Sequence, residues 1–331
     1  MGNGKITNLM KFKIQPISSD ASFRNFYRII LKKSSKIIVF AEKEKYQNLI
    51  AYSSINKFLR KNKVLTPKLF THNYKKGIIV IEDFGDLSFY KILLKHKNKF
   101  IIYKKLVNLL LKIQKIKPQI NLNTIIGRKH IIKKYSNKFL HKESDLFFDW
   151  YLPLFFKKKR TVKIKKKAKK VLTNLYKKLN YPNSFFVHRD YHAQNLMKVG
   201  KKVGVIDSQD ALIGNPAYDL VSLIDDVRIK TNKRLKTQIY NYYLKKNSKI
   251  NKTDFKKFSR DFDILSVQRS LKIIGIFCRL FKRDKKDRYL KFIPYTWKLL
   301  EMRMASKIFL DLRKILDENI NKDLRKKKIL K

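Results

Sequence analysis

Three polar side chains between Phe185 and Asp219 have types and a spacing that suit one chemical task. Asn195 follows Asp190 by five residues, and Asp207 follows Asp190 by seventeen. A carboxylate can accept or orient the proton of an attacking hydroxyl. A second carboxylate and an amide supply the hard oxygen ligands that Mg²⁺ prefers. We therefore expect the three side chains to meet beside one divalent ion.

The surrounding pattern places these residues where a catalytic loop needs them. Apolar, strand-like stretches run over 185–187 and 202–206, and the residues between them are mostly polar. Loops at strand ends commonly present functional side chains. Phosphoryl-transfer enzymes of the kinase type use the same order and spacing of Asp, Asn and Asp. The segment thus predicts phosphoryl transfer.

Each of these residues also has a purely structural interpretation. His188, at the end of a strand, is expected to brace the loop rather than to act as a base. Arg189 is expected to face solvent or to form an ion pair, and Asp207 taken alone would suit a turn. The occurrence of all three chemical groups within one strand, loop and hairpin favours the catalytic interpretation.

The wider pattern predicts an α+β chain with a protein-kinase-like, two-lobed arrangement. Alternating apolar residues over 21–31, 36–41, 69–73 and 77–82 predict a small antiparallel sheet, and 42–61 has helical spacing. Helical patterns dominate after residue 84, with segments expected at 87–117, 128–140, 144–157 and 163–180. We therefore expect a strand-rich nucleotide-binding lobe over 1–83 and a helical catalytic and substrate lobe over 84–331.

Composition excludes several classes of protein. The 331 residues contain 44% hydrophobic side chains, enough for a packed core, and the single cysteine, Cys278, cannot form an intrachain disulfide. Apolar runs are too short to cross a membrane, and the lysine-rich start lacks the apolar stretch of a secretion signal. We expect a cytoplasmic protein without a membrane partner.

The net charge of +55, from 80 basic and 25 acidic residues, raises the question of a nucleic-acid partner. The lysines are spread along the whole chain together with many Ile and Asn, and these three residues share A/T-rich codons. A compositional bias therefore accounts for the charge. No RNA-binding motif is recognisable in the sequence, so nucleic-acid binding stays a disfavoured alternative.

The segments HRDYHAQN (188–195) and VGVIDSQDALIGNPAYDL (203–220) resemble the aminoglycoside phosphotransferase and choline kinase-like superfamily. Within it, the chain is most similar to the bacterial anomeric kinases of N-acetylmuramate and N-acetylglucosamine that serve cell-wall recycling. The stretches SSDASFRNFYRI (18–29), IVIEDFGD (79–86) and 267–294 support this narrower resemblance. The resemblance extends over about residues 15–300.

The resemblance implies ATP and Mg²⁺ as cofactors and assigns roles by motif position. Asp190 would be the catalytic base toward the sugar hydroxyl, and Asn195 and Asp207 would hold Mg²⁺. His188 and Asp219 would be structural, with Asp219 bracing the catalytic loop. Nucleotide contacts are expected from Ser18, Ser19, Asp20, Ser22, Arg28, Glu82, Asp83 and Phe84, and substrate contacts from His192, Gln209, Asp210 and Arg269.

Three features depart from the pattern of kinases. The turn near residues 20–22 contains no glycine, so that serine hydroxyls and backbone would have to bind the phosphates. No lysine occupies the centre of the strand at 36–41, and Lys36, Lys43 and Arg28 remain open as the cation that anchors the ATP phosphates. Ser208 replaces the phenylalanine that follows the metal-binding aspartate in protein kinases, which argues for a small-molecule kinase.

The sequence therefore predicts an ATP-dependent kinase that phosphorylates the anomeric hydroxyl of an N-acetyl amino sugar in peptidoglycan recycling. One alternative is a kinase of another small hydroxyl compound, such as an aminoglycoside or choline. The other is a non-catalytic nucleic-acid-binding protein with a kinase fold. The preferred sugar and the oligomeric state are left open.

Overall fold

The computed structural model describes residues 13–17, 24–32, 34–42, 46–247 and 254–326. The chain folds into two compact units, neither of which is continuous in sequence. Unit 1 combines Met1–Leu87 with Leu122–His130 and Met197–Gln209, and unit 2 contains the remaining segments. The sequence-based division between residues 83 and 84 treated the lobes as continuous, and it therefore assigned the segment that ends in Gln209 to the helical lobe.

The strands are short, and most of them belong to unit 1. Five strands of the N-terminal region form one antiparallel sheet in the order β1-β2-β3-β5-β4. The remaining strands pair in twos as β6–β7, β8–β11 and β9–β10. The strands are β1 Lys13–Ile17, β2 Asn25–Ile30, β3 Ser35–Phe40, β4 Leu69–Asn73, β5 Ile78–Glu82, β6 Asn121–Asn123, β7 Lys129–Ile131, β8 Phe185–Val187, β9 Leu196–Val199, β10 Lys202–Val205 and β11 Leu212–Gly214.

Helices make up most of unit 2, and α1 belongs to unit 1. A π-helical turn at Phe147–Tyr151 continues directly from α4. The helices are α1 Gln47–Lys61, α2 Phe89–Lys95, α3 Lys99–Lys115, α4 Asn137–Leu146, α5 Lys158–Lys177, α6 Ala217–Ile224, α7 Lys233–Lys246, α8 Phe255–Asp284, α9 Ile293–Arg303, α10 Leu310–Asn319 and α11 Lys322–Lys326.

The core of unit 1 forms because alternate residues of the central strands face α1. Ile37 and Val39 of β3 and Ile79 and Ile81 of β5 are buried, and they pack with Leu49 of α1 in one apolar cluster. The polar residues of the predicted nucleotide segment, 82–86, follow directly after β5. The packing of β5 against α1 therefore sets the position at which the segment 82–86 begins.

Helix α8 is the central helix of unit 2. Most of its thirty residues are buried, and the buried ones lie between Phe258 and Leu280. It packs against α4, α6, α9 and the π-helical turn. The contact at Gly275 is so close that a Cβ atom there would collide with the backbone at Leu146. Because α4 and α8 approach so closely, polar residues on their facing sides are brought into contact.

Most predicted elements are confirmed. The hairpin of the first sheet, its helix, β4 and β5, and the strand at 185–187 lie where expected. The expected helix at 128–140 is wrong over its first half, where β7 occurs, and the helix at 87–117 is two helices, α2 and α3. Strand β1 was not predicted.

The basic segment at 157–170 forms a surface helix, as its pattern predicts. Ile164, Ala168 and Leu172 are buried along one side of α5, while most of its lysines are exposed. Lys165 pairs with Asp149 at 2.7 Å. Among the described residues, no helix combines the length and the apolarity that crossing a membrane would require.

Candidate active site

The loop that follows β8 is held by a buried carboxylate. Asp219 of α6 is completely buried, and its two oxygens accept the backbone N–H groups of His188 at 2.7 Å and Arg189 at 2.9 Å. Burial raises the pKa of Asp219 to about 6, although these hydrogen bonds favour its ionised form. Arg189 has a left-handed φ of 74°, so the loop turns sharply just before Asp190.

Asn195 lies beside Asp190 in unit 2, as their spacing predicts. The Asn195 side-chain nitrogen donates to the backbone carbonyl of Asp190 at 3.0 Å, and the backbone N–H of His192 donates to the same carbonyl at 2.9 Å. This contact uses the amide nitrogen of Asn195, so its oxygen Oδ1 is the atom that could ligate a cation. The loop is thus tightened around the backbone of the predicted base.

The Asp190 carboxylate, 38% exposed, lies among cations. Its Oδ1 is 3.9 Å from a guanidinium nitrogen of Arg269, a residue of α8 that is 5% exposed. Burial alone would raise the pKa of Asp190, but the positive charges of Lys272, Arg269 and Arg189 outweigh it and hold the pKa well below its usual range. Asp190 is therefore ionised at neutral pH.

Two of these cations are fixed by Glu143, a buried residue of α4. Its carboxylate oxygen Oε1 pairs with a guanidinium nitrogen of Arg189 at 2.5 Å and with the ammonium nitrogen of Lys272 at 2.8 Å. Burial would raise the pKa of Glu143, but Lys272 and Arg189 lower it to about 2. Three neutral side chains also donate to this carboxylate: Tyr135 at 2.6 Å, Gln268 at 3.0 Å and Tyr218 at 3.2 Å. We call Glu143, Arg189 and Lys272, with these three donors, the Glu143 cluster.

Two buried nitrogens next to Asp190 have no hydrogen-bond partner in the described part of the chain. They are Nδ1 of His192, which is 6% exposed, and Nε of Arg269. Burial and the charge of Arg228 lower the pKa of His192 to about 3, so its ring is neutral at physiological pH. Because unsatisfied buried polar atoms are costly, these two atoms indicate that a polar ligand belongs here.

In unit 1, Asp207 is bound to a buried arginine. Arg24, 5% exposed, donates to Oδ1 of Asp207 at 2.5 Å and to the amide oxygen of Gln209 at 3.0 Å. Asp207 has a left-handed φ of 65°, which a non-glycine residue rarely adopts. The next residue, Ser208, is anchored through its hydroxyl to Asn56 of α1 at 2.7 Å. Arg24 therefore holds the side chain of Asp207, and the anchored Ser208 holds the backbone directly after the strained residue.

The predicted nucleotide segment of unit 1 is organised by Arg28. This residue of β2 donates to Asp83 at 2.6 Å and to Asp86 at 2.9 Å, so its guanidinium is occupied by two carboxylates. Glu82 accepts the backbone N–H of Lys68 at 3.0 Å. The ring of Phe84 lies so close to Gly204 that a Cβ atom there would be 2.6 Å from it.

The other predicted site residues are placed as follows. Asp210 is half-exposed in unit 2 and lies 3.7 Å from Arg189, and His188 is buried beneath the loop. Four predicted nucleotide contacts lie outside the described residues: Ser18, Ser19, Asp20 and Ser22. The roles assigned to these and to the other site residues stay predictions.

The donor chemistry fits Mg²⁺. Asn195 presents an amide oxygen, and Asp207 is a 36% exposed carboxylate with one oxygen bound to Arg24. Within the described ranges, no group of three or more His, Cys, Asp or Glu side chains forms a metal-binding cluster. A bound magnesium ion would therefore need ligands from outside the protein, as phosphate oxygens and water provide in kinases.

These features define a phosphotransferase of the kinase-like fold. The sequence profile of the phosphotransferase enzyme family matches residues 13–251, and the chain belongs to this family. It is a phosphotransferase that acts on a hydroxyl group.

Individual relatives carry more specific names. The chain is 29% identical to an N-acetylmuramate/N-acetylglucosamine kinase of Pseudomonas aeruginosa, over 88% of this chain and 83% of the relative. It is 26% identical to the kinase of the same name from Neisseria meningitidis serogroup B, over 86% and 83%. The resemblance to this superfamily and to this group of kinases is thus confirmed.

Solved structures agree on the fold. A spectinomycin phosphotransferase in complex with ADP and spectinomycin superimposes with a TM-score of 0.63 at 17% identity, covering 89% of this chain and 93% of that one. The choline kinase of Streptococcus pneumoniae gives a TM-score of 0.58 at 16% identity, covering 90% and 96%. The predicted α+β, protein-kinase-like fold class is confirmed.

The sequence analysis did not single out Glu143, and it placed Arg24 only as the last residue of the turn, residues 18–24, that the resemblance assigns to the phosphates. Glu143 lies in an ordinary amphipathic helix, and no local signal distinguishes it from other acids. The position of Arg24 at the end of that turn was a usable signal.

Proposed function

We propose that this protein transfers the γ-phosphoryl group of ATP to the anomeric hydroxyl of N-acetylmuramate or N-acetylglucosamine, in the recycling of peptidoglycan sugars. The names of its relatives support the choice of substrate. The observation that carries the proposal is the ionised Asp190, fixed on a strained loop beside two buried nitrogens that lack partners.

In this mechanism Asp190 orients the sugar hydroxyl and receives its proton. A carboxylate with a depressed pKa is a weak base, which suits a late, dissociative phosphoryl transfer that needs orientation more than proton abstraction. An anomeric hydroxyl is also more acidic than other sugar hydroxyls. Asp190 is therefore matched to this acceptor.

Asn195 and Asp207 are the side chains proposed to hold Mg²⁺, which neutralises charge on the nucleotide phosphates when it is bound. The proposal requires that both serve one ion. Asp219 and the Glu143 cluster keep the loop in shape, so Asp190 and Asn195 are preorganised.

The charge around Asp190 bears on the substrate. Arg269 and Lys272 would repel cationic acceptors such as aminoglycosides and choline, and they would attract an acidic substituent. N-acetylmuramate carries such a group in its lactyl carboxylate. His192 Nδ1 and Arg269 Nε would gain partners from sugar oxygens. We therefore expect N-acetylmuramate to be the better substrate.

The test is ADP release with ATP and Mg²⁺ in the presence of N-acetylmuramate, N-acetylglucosamine, an aminoglycoside or choline. We expect turnover with the two sugars and loss of the sugar's reducing end, because the product is a 1-phosphate. Asp190→Asn should abolish turnover, while Asp149→Asn, an exposed carboxylate paired with Lys165, serves as the matched control. Turnover confined to choline or the aminoglycoside, or an unaffected Asp190→Asn variant, would contradict the proposal.

A further inference from the structure

The cation that binds the nucleotide phosphates is missing from its usual place in unit 1. Protein kinases use a lysine of the third strand, fixed by a glutamate of the adjacent helix. Strand β3 has only Ile37, Ile38 and Val39 at its centre, and α1 contains no acidic residue between Gln47 and Lys61. Both members of that ion pair are therefore absent from these two elements.

Two of the candidate cations contact groups other than Asp207, the predicted magnesium ligand. Arg28 is bound to Asp83 and Asp86, and these contacts raise its pKa further above its ordinary value. The ammonium group of Lys36 lies 4.6 Å from the centre of the Phe70 ring. The third candidate, Lys43, lies outside the described residues.

Arg24 has the properties that the missing lysine would need. It is a buried cation that directly precedes β2, and it is the last residue of the turn at 18–24 that the resemblance places over the phosphates. Its guanidinium is bound to Asp207, the predicted magnesium ligand, and to Gln209. The ion pair thus connects Arg24, which directly precedes β2, to the carboxylate of Asp207, which follows the β9–β10 hairpin.

We infer that Arg24 is the cation that binds the nucleotide phosphates in this chain and that it positions Asp207 for Mg²⁺. This inference rests on the proposed function. A guanidinium has five N–H donors in one plane, so one arginine can hold a carboxylate and a phosphate oxygen together. Arg24 thereby replaces the lysine of protein kinases, and Asp207 replaces the glutamate that holds this lysine in place.

The assignment divides the two carboxylate oxygens of Asp207. Oδ1 is bound to Arg24, so Oδ2 is the oxygen that would be available to Mg²⁺. Gln209, which the sequence assigned to the substrate, then acts as the second acceptor that keeps Arg24 in place. Loss of Arg24 should therefore weaken nucleotide and metal binding together.

The experiment measures the binding of Mg²⁺ with a non-hydrolysable ATP analogue by calorimetry in the absence of sugar. We expect Arg24→Met to weaken this binding by about 10- to 150-fold, the range for a hydrogen bond to a charged group. Arg24→Lys keeps the charge without the planar fork and should recover part of the loss. The matched control is Arg283→Met, which removes an exposed arginine bound to Asp284.

Steady-state kinetics provide the second readout. The KM for ATP and the Mg²⁺ concentration at half-maximal rate should rise in Arg24→Met, while the KM for the sugar stays within about twofold. A purely structural role would instead lower thermal stability and affect both substrates equally. Should Arg24→Met fold poorly, Arg24→Lys, which preserves a cation beside Asp207, supplies the same comparison.

The outcomes separate this inference from the proposed function. If the wild type binds the nucleotide and Arg24→Met binds it equally well, the inference is wrong and the sugar kinase proposal is unaffected. If the wild type binds the nucleotide but phosphorylates neither sugar, the proposed substrate is wrong, and weak nucleotide binding by Arg24→Met still supports the role of Arg24.

Discussion

Asp190 of unit 2 and Asp207 of unit 1 have the same side chain and a similar fractional exposure, yet their surroundings differ. Asp190 lies among several cations, and two of them, Arg189 and Lys272, are fixed by the buried Glu143. Asp207 has one strong partner, Arg24, and its strained backbone is held by its neighbours. The first arrangement suits a group that must stay ionised and still, and the second suits a group that takes up a ligand.

The comparison is tested most severely by isosteric amides at the two positions. Asp190→Asn should lower kcat by about 10²- to 10⁴-fold and leave nucleotide affinity unchanged, because the proposed mechanism uses Asp190 only on the acceptor hydroxyl. Asp207→Asn should weaken the binding of the Mg²⁺–nucleotide complex itself. Calorimetry and steady-state rates on both variants check this. Equal effects of the two substitutions on nucleotide affinity would remove the distinction.

The Glu143 cluster can be tested separately through stability. Glu143→Gln leaves Arg189 and Lys272 buried without their carboxylate, which costs about 3–5 kcal/mol in the free energy of unfolding. The control is Glu301→Gln, a 44% exposed acid paired with Arg325, for which we expect at most about 1 kcal/mol. Urea unfolding measures both values. A small loss in Glu143→Gln would mean that this cluster does not organise unit 2.

The pH dependence of stability follows from the same residue. The pKa of Glu143 is lowered to about 2 in the folded chain from its ordinary value of 4.5, so the unfolded chain binds more protons between these values. The stabilisation is complete above about pH 4.5 and is lost as the pH falls toward 2. Unfolding measured across this range should therefore depend less on pH in Glu143→Gln than in the wild type.

The smallest expected effect concerns the packing of Phe84 on the β9–β10 hairpin. Gly204→Ala places a methyl group 2.6 Å from the Phe84 ring, which must move at a cost of about 1–3 kcal/mol. The hairpin ends at Asp207, so nucleotide affinity should fall with stability. The kinetic response to the Asp190→Asn substitution should remain as in the wild type. A stable Gly204→Ala variant with normal nucleotide affinity would show that this contact does not support Asp207.

The sequence predicted what depends on local pattern and motif. Alternation in β3 and β5 and helical spacing in α1 reflect burial on one face, which neighbouring residues reveal. The helix expected at 128–140 is wrong over its first half because the short stretch at 129–131 pairs as a strand with 121–123, and strands of three residues are too short to show an alternating pattern.

The candidate site divides in the same way. The spacing of Asp190 and Asn195 correctly indicated that they share one loop, since the contact is local. The five donors around Glu143 come from α6, α8 and two loops, and no pattern within α4, the helix of Glu143, predicts them. Arg24 and Asp207 are 183 residues apart, so their ion pair is invisible without the fold.

The discontinuity of unit 1 has a consequence for how the protein is synthesised. Arg24 and Asn56 are buried, and the groups to which their side chains hydrogen-bond, Asp207 and Ser208, emerge from the ribosome some 150 or more residues later. In the nascent chain the Arg24 guanidinium and the Asn56 side chain therefore stay hydrated until the hairpin is translated. Unit 1 is completed late in translation, and a gene fragment that ends at residue 87 lacks the residues that bind these two side chains in the folded chain.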